Sequence, residues 1–432
     1  MLLKNRIRVV ALGTWLVFLV ADEYRIRCGL PRELFGDEWR YIYYANNLLH
    51  GYFSPTDRIF LWNGPGYPLI LVPFVKVDWI DGARHANAVW HSGAMAYAWL
   101  ILRVRMSEWW AVGAVVLLGL YPPVNEHLPL LYTEVFCFFL VTAWIFHIMR
   151  APQSSTHRTV AAFYFAILCL TKVVFGVVLM LFILVLSVDC LLRRTQRSWP
   201  YLLHAVLAFV LCVPYLVYTY RITGKLFYWS SAGPNTFYWL TSPYPDEWGD
   251  WYHQGWVNQN PILRAHHKAL FDQTSGLAQN PDLPELEQVF NLSTPDTAEI
   301  FLERGLRNIR EHPLKFARNW CGNLIRLFLD VPVSVRGTPF WNEYSLSNLP
   351  LLVLTGIAVM AGWRRRLRIP PSWIPIGLFA LLTIATYSFS SIVARYLIPL
   401  VPIWWLGLCC SFSMIFAAKS CMIHEPALFR SC

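Results

Sequence analysis

Apolar runs of membrane-spanning length recur along this 432-residue chain, and every second connection between them is basic. The runs fall near 8–26, 84–102, 109–123, 129–149, 158–171, 173–192, 199–220, 348–363, 372–389 and 393–416, roughly ten in all at the length a spanning helix needs. The stretch 158–192 reads either as one long helix or as two short ones meeting at Lys172. Arg103 and Arg105, then Arg150 and Arg158, then Arg193, Arg194 and Arg197, then Arg364, Arg365, Arg366 and Arg368 occupy alternate connections, with Lys4, Arg6, Arg8 and Lys419 on the same side. Basic residues in short loops hold those loops in the cytoplasm. Both termini are therefore expected in the cytoplasm, and the connections 27–83 and 221–347 outside it. The first run could serve as a signal peptide, but Leu19 and Ala21 make a poor cleavage site, so it is read as an uncleaved span. The expected fold is an all-α polytopic membrane protein. It comprises an N-terminal transmembrane module (1–220) with a long first outer loop (27–83), a small, mostly helical outer domain (221–347) and a C-terminal transmembrane module (348–432).

Composition agrees. Only 14% of residues are charged against 56% hydrophobic, where a soluble domain carries about 25% charged. The net charge of +10 follows from the basic loops and does not point to nucleic acid. Most of the cysteines lie inside apolar runs (Cys137, Cys169, Cys190, Cys212, Cys409, Cys410) and behave there as small hydrophobes. No C-x-x-C pair supports a zinc or redox site. Cys28 and Cys321 fall on the same outer side, and geometry decides whether they pair. There is no Walker A sequence, nucleophile elbow or H-E-x-x-H. Chemistry at the outer face would then need its activated group delivered on a lipid. Asn291-Leu292-Ser293 is a glycosylation sequon that matters only in a eukaryotic host.

The chemistry-bearing residues gather around the outer connections. Phe35-Gly36-Asp37-Glu38-Trp39-Arg40-Tyr41 follows the first span, and Asn63-Gly64-Pro65-Gly66-Tyr67-Pro68-Leu69 follows soon after. Carboxylates beside lipid are costly to keep ionised and tend to be functional. Asp37 suits a general base that removes a hydroxyl proton, with Glu38 as its neighbour. It suits equally the N-cap of a helix over 38–50. That helix carries Trp39, Ile42, Ala45 and Leu49 on one stripe, ends at Gly51, and reads as lying in the membrane interface. Glu134 opens the outer end of a span, either as a site acid or as an interfacial carboxylate bonded to a neighbouring helix. Glu126 and His127, in the short loop before it, face the same cavity but read as solvated. Arg395 begins the last span, where a guanidinium can grip a lipid phosphate or snorkel as an anchor. Arg58, Lys76, Arg84 and Lys172 are the other outer cations. Tyr41, Tyr44, Tyr67 and Tyr396 are candidates to line a substrate cavity. Tryptophans and tyrosines of 227–256 suit sugar stacking and interfacial anchoring alike. Further on, Thr294-Pro295-Asp296 signals a helix start. Ile300, Leu302, Leu306 and Ile309 form its apolar stripe opposite Arg304, Arg307 and Arg310, and Pro313 restarts the helix toward Trp320 and Leu324.

With these residues in place the chain resembles the GT-C glycosyltransferases. More narrowly it resembles the dolichyl-phosphate-mannose–protein mannosyltransferase and aminoarabinose transferase group in its bacterial form. The likeness rests on Gly36-Asp37-Glu38 with Tyr41 and Ala45, on Gly64-Pro65-Gly66-Tyr67-Pro68-Leu69, on Thr133-Glu134, and on Arg395-Tyr396-Leu397 with Pro399 and Pro402; His312-Pro313 adds to it. Trp62-Asn63 stand where some relatives carry a lysine. The resemblance implies a polyprenyl-phosphate sugar donor and inverting transfer to a lipid, glycan or protein acceptor at the outer face of a bacterial cell membrane. It makes Asp37 the catalytic carboxylate, Glu38 its neighbour, Glu134 a second acid and Arg395 a phosphate ligand. A divalent metal is compatible but not required, because the visible acids are few for an oxygen cage. Two other classes compete. A flippase of lipid-linked glycans would show pseudo-symmetric halves and broken helices at mid-membrane, and a polysaccharide polymerase would show paired outer arginines.

Overall fold

The computed structural model describes residues 2–417 apart from 32, 35, 194–197, 246, 251–291 and 334–339, with backbone alone at 2–8, 193 and 417. Phe35, Arg194, Arg197, Lys419, Asn291 of the sequon and the aromatic residues of 251–256 lie outside the described residues, as do the side chains of Lys4, Arg6, Arg8 and Arg193.

The chain is all-α, and no strand occurs among the described residues. In order the helices are α1 (Leu2–Gly29), α2 (Glu38–Leu49), α3 (Gly66–Lys76), α4 (Ile80–Leu102), α5 (Glu108–Gly119), α6 (Pro122–His127), α7 (Thr133–Ile148), α8 (Ser155–Thr171), α9 (Val174–Arg193), α10 (Trp199–Thr223), α11 (Ala232–Leu240), α12 (Thr294–Glu311), α13 (Pro313–Leu329), α14 (Glu343–Arg364), α15 (Trp373–Ser388) and α16 (Val401–Ala417). A 3-10 turn, Ala394–Leu400, leads into α16.

All ten expected spans fall on helices. Four stretches, Val174–Leu192, Trp199–Thr223, Glu343–Arg364 and Ala394–Phe416, are long and apolar enough to cross a membrane, while α5, α7 and α15 are apolar but shorter. This is an integral membrane protein. The helices α1 and α4 are long but carry charge, and the charge is paired between them. Asp22 lies 2.6 Å from His91 and Glu23 lies 2.9 Å from His85. Ionisable groups at membrane depth pair in this way because an unpaired one is costly. The stretch 158–192 resolves into two helices. Lys172 adopts an extended conformation (φ −126°, ψ 99°) that ends α8.

Side-chain contacts define two ends of the bundle. At one end Ser413 donates to the Arg105 carbonyl (2.6 Å) and Arg365 donates to the Ile415 carbonyl. The basic connections after α4 and α14 thus meet the end of α16. At the other end lie the first loop, the start of α7, the α8–α9 corner and the entry to α16.

The 221–347 segment is tied to the first loop and to the entry of the last span. Thr294 donates its N–H to the Ile59 carbonyl (2.9 Å), Leu61 donates to Thr294 Oγ1 (3.1 Å), and Ser231 donates to the Leu61 carbonyl (2.8 Å). Asn323 donates to the Ser390 carbonyl (2.7 Å), and Arg326 donates to the carbonyls of Trp248 and Pro332 (2.7 Å each). Cys28 and Cys321 are free thiols.

Two helices bring polar residues into the protein while parts of their apolar stripes stay exposed. In α2, Trp39 and Leu49 are exposed, and the buried face carries Glu38, Arg40, Tyr41, Tyr44, Ala45 and Asn47. In α12, Leu302 and Leu306 are exposed, while Phe301, Arg304, Gly305 and Asn308 are buried. These helices turn their polar side inward, where hydrogen-bonding partners wait. Of the stripes, Trp39, Leu49, Leu302 and Leu306 are left exposed, whereas Ala45 is buried and Ile300 packs on the Tyr238–Trp239–Phe301 cluster.

Candidate active site

Asp37 occupies the N-cap position of α2, yet its side chain makes no capping bond. Its carboxylate pairs with Arg40, one helical turn on, and with Arg395 Nη2 at 2.5 Å. Arg395 belongs to the 3-10 turn before α16, and its Nε lies 3.7 Å from Glu134 Oε1. Glu134 in turn holds Lys172 Nζ at 3.2 Å. Four connections distant in sequence thus join in one row of alternating charge: Lys172, Glu134, Arg395, Asp37. Burial alone would raise the Asp37 carboxyl pKa. The guanidinium groups of Arg40 and Arg395 outweigh that and hold it well below the ordinary carboxylate range.

Aromatic rings wall the row. The Arg395 guanidinium lies over Tyr132 (4.7 Å) and Lys172 Nζ over Tyr396 (4.4 Å). Tyr396 stacks on Tyr387 with centroids 5.4 Å apart. Tyr41 meets Tyr67 edge-on at 5.2 Å. The hydroxyls of Tyr67 and Tyr387 and the Oγ1 of Thr171 are buried without a hydrogen-bond partner.

Glycines permit the close approach. Gly36 has φ +56°, and a Cβ there would lie 2.1 Å from the Tyr132 hydroxyl. A Cβ at Gly64 would lie 2.0 Å from the Leu170 carbonyl oxygen, and one at Gly66 would lie 2.7 Å from the Thr171 nitrogen. The Gly64-Pro65-Gly66 turn therefore packs backbone to backbone on the corner that presents Lys172.

The other expected residues divide. Glu38 is fully buried. It bonds the Arg84 guanidinium at 3.2 Å and accepts from the Leu131 N–H at 2.8 Å. Arg84 also pairs with Asp81 at 2.9 Å, so this cation is engaged away from the Asp37 row. Arg58 is exposed on the wall of a neighbouring cleft, Lys76 is exposed at the end of α3, and Glu126 is exposed as read. His127 is buried instead of solvated, with Nδ1 at 2.7 Å from the Pro123 carbonyl and its ring beside Tyr132. Tyr44 stacks on Phe53 (4.4 Å) and accepts the Trp62 N–H (2.9 Å), so it braces the first loop. Sequence reasoning missed Arg40 and Tyr132 as members of the site. Arg40 carried a signal, three residues after Asp37 on a helix. Among the described residues no three His, Cys, Asp or Glu side chains gather as a metal site.

No family model and no curated protein matches the chain. Solved structures with a similar arrangement include the archaeal oligosaccharyltransferase AglB from Archaeoglobus fulgidus, in complex with an inhibitory peptide and a dolichol-phosphate. That likeness has 11% identity and a TM-score of 0.47, and covers 97% of this chain and 53% of that one. The chain thus spans about half the length of that enzyme. ArnT from Cupriavidus metallidurans bound to undecaprenyl phosphate is similar at 16% identity and a TM-score of 0.34, over 92% of this chain and 77% of that one. The same protein in the apo state is similar at 14% identity and a TM-score of 0.36, over 94% and 77%.

Proposed function

We propose that this chain is a membrane glycosyltransferase that moves a sugar from a polyprenyl phosphate to an acceptor hydroxyl at the outer face of the membrane. The observation that carries the reading is the row Lys172–Glu134–Arg395–Asp37, which sets two cations and a base side by side. Both cations now rest on carboxylates, as they would before a donor phosphate arrives. A phosphate drawing Arg395 away leaves Asp37 with Arg40 alone, and the carboxylate's proton affinity rises as that charge departs. Asp37 then takes the acceptor proton as the acceptor oxygen bonds the anomeric carbon. The bond from that carbon to the phosphate oxygen breaks, and its electron pair leaves with the phosphate, stabilised by Arg395 and Lys172. One in-line displacement of this kind inverts the anomeric centre. Glu134 touches both cations and sets their spacing. Arg58 and Arg84 have no part in this step, and Glu38 is a structural neighbour.

The test compares Asp37→Asn with wild type in membranes, using radiolabelled polyprenyl-phosphate sugars. Loss of about 10²–10⁴-fold in turnover is expected for a missing general base, in a variant that still folds and still binds the donor lipid. Equal turnover in the two proteins removes Asp37 from the chemistry. Lipid binding without turnover in wild type would instead favour transport.

A further inference from the structure

Beside the Asp37 row, between α2, the loop 53–62 and the start of α12, lies a cleft of about 520 Å³. Small-molecule sites range over about 300–1,000 Å³, so a disaccharide-sized ligand fits. Its wall mixes the rings of Trp39, Tyr43 and Trp62 with the polar groups of Asp57, Arg58 and Asn235. Asn235 is buried and oriented by its Nδ2 donating to the Ser231 carbonyl at 2.8 Å. Flat apolar faces set among a carboxylate, a guanidinium and an amide match one ligand chemistry well. A pyranose presents C–H surface on its faces and hydroxyls around its rim, and planar side chains bond such hydroxyls in pairs. An acyl chain would press hydrocarbon against a carboxylate and a guanidinium on this wall, and an amphipathic peptide helix would need a continuous apolar trough.

The cleft also reaches the reactive carboxylate through one side chain. Arg40 pairs with Asp37, and its guanidinium lies 5.6 Å from the Trp62 ring and 5.9 Å from the Trp39 ring, both of which line the cleft. Arg40 thus touches both the Asp37 carboxylate and two rings of the cleft wall.

We propose that this cleft is a saccharide site and that, granted the transfer reading above, it holds a carbohydrate acceptor with one hydroxyl directed at Asp37. The full chain in lipid nanodiscs is titrated with an N-acetylglucosamine disaccharide and with cellobiose. A hydrophilic tetrapeptide and a lysophospholipid serve as rival probes, and binding is read by saturation-transfer NMR. At least one disaccharide is expected to bind saturably, about tenfold more weakly to Trp62→Ala and to Asp57→Asn, the loss of one good contact. Because Trp62 also packs on Trp239 at 6.1 Å, the isosteric change at exposed Asp57 keeps the test valid should Trp62→Ala misfold. Preference for the peptide or the lysophospholipid, or disaccharide binding untouched by both substitutions, overturns the assignment. Disaccharide binding that both variants weaken, in a protein that consumes no donor, keeps the saccharide site and removes the transfer reading. Donor turnover with no disaccharide bound does the reverse.

Discussion

Asp37 and Glu38 are adjacent in the chain and opposite in their surroundings. Glu38 has no exposure; one guanidinium grips both its oxygens and a backbone N–H adds a third donor. Its needs are met within the protein, and it fastens α2 to α4 and to the approach to α7. The Asp37 side chain keeps 19% exposure, and Arg395, one of its two cations, is shared with Glu134. A fully satisfied buried ion pair stiffens a fold, whereas a row of shared partners can be rearranged by an incoming anion. Two carboxylates one residue apart thus carry different duties, set by which helix supplies the counter-charge.

The sharpest way to break that contrast is to neutralise each acid in turn. Asp37→Asn is expected to cost the 10²–10⁴ in turnover given above, with a smaller loss of stability than Glu38→Gln because its ion pairs keep some exposure. Glu38→Gln is expected to cost about 3–5 kcal/mol of stability, because removing one member of a buried pair strands the other; detergent-solubilised thermal unfolding reads it. If Glu38→Gln keeps its midpoint but loses turnover, the two duties are wrongly divided.

Next in size is the Gly/Pro turn. In Gly64→Ala the new Cβ meets the Leu170 backbone and cannot be relieved by a side chain turning away. A cost of about 1–3 kcal/mol, typical of overpacking, is expected, with Lys172 displaced from Glu134. Donor KM should rise in this variant. An unchanged KM would show that the corner does not govern the cation.

The smallest effect belongs to a third acid, in the segment between α11 and α12. Glu247 accepts from Ser242 and sits near Asp250 and Lys315; burial first, and Asp250 after it, push its carboxyl up to about 7. The folded pKa lies above the unfolded one, so the stability this group contributes is fully present below about 4.5 and lost as pH rises through about 7. Between pH 6 and pH 8 wild type should lose about 1 kcal/mol from this source. Glu247→Gln should flatten the dependence, and an identical slope in the variant would refute the assignment.

Much of this architecture was legible in the sequence. Hydropathy located ten apolar segments that fall on helices and the break at Lys172, because bilayer thickness and charge cost act on each segment separately. Two of the basic connections group as read, since Arg105 and Arg365 both meet the end of α16, while Asp37, Glu134, Lys172 and Arg395 meet one another. Periodicity found helices α2 and α12, but not which members of each stripe would be buried, as Ala45 is and Trp39 is not. In a membrane-associated chain an apolar stripe has two destinations, core and lipid, and spacing does not choose between them. The pairing of Arg84 with Glu38 was equally hidden, for it joins residues 46 apart whose helices meet only in three dimensions. Arg58 and Arg84 looked interchangeable with Lys172 as outer cations. Only packing showed that Lys172 alone of the three joins Arg395.

The bond between Arg395 and Asp37 spans 358 residues, which sets an order of events during biosynthesis. At ribosomal speeds of about 5–20 residues per second, the carboxylate waits roughly 20–70 s for its cation to be made. Throughout that interval the nascent chain holds its base, its Gly/Pro turn and Lys172, but lacks the arginine that completes the row. A chain halted at Ser388 would be nearly whole in the bilayer and chemically silent. The contact between Arg395 and Asp37 is therefore among the last that assembly can make.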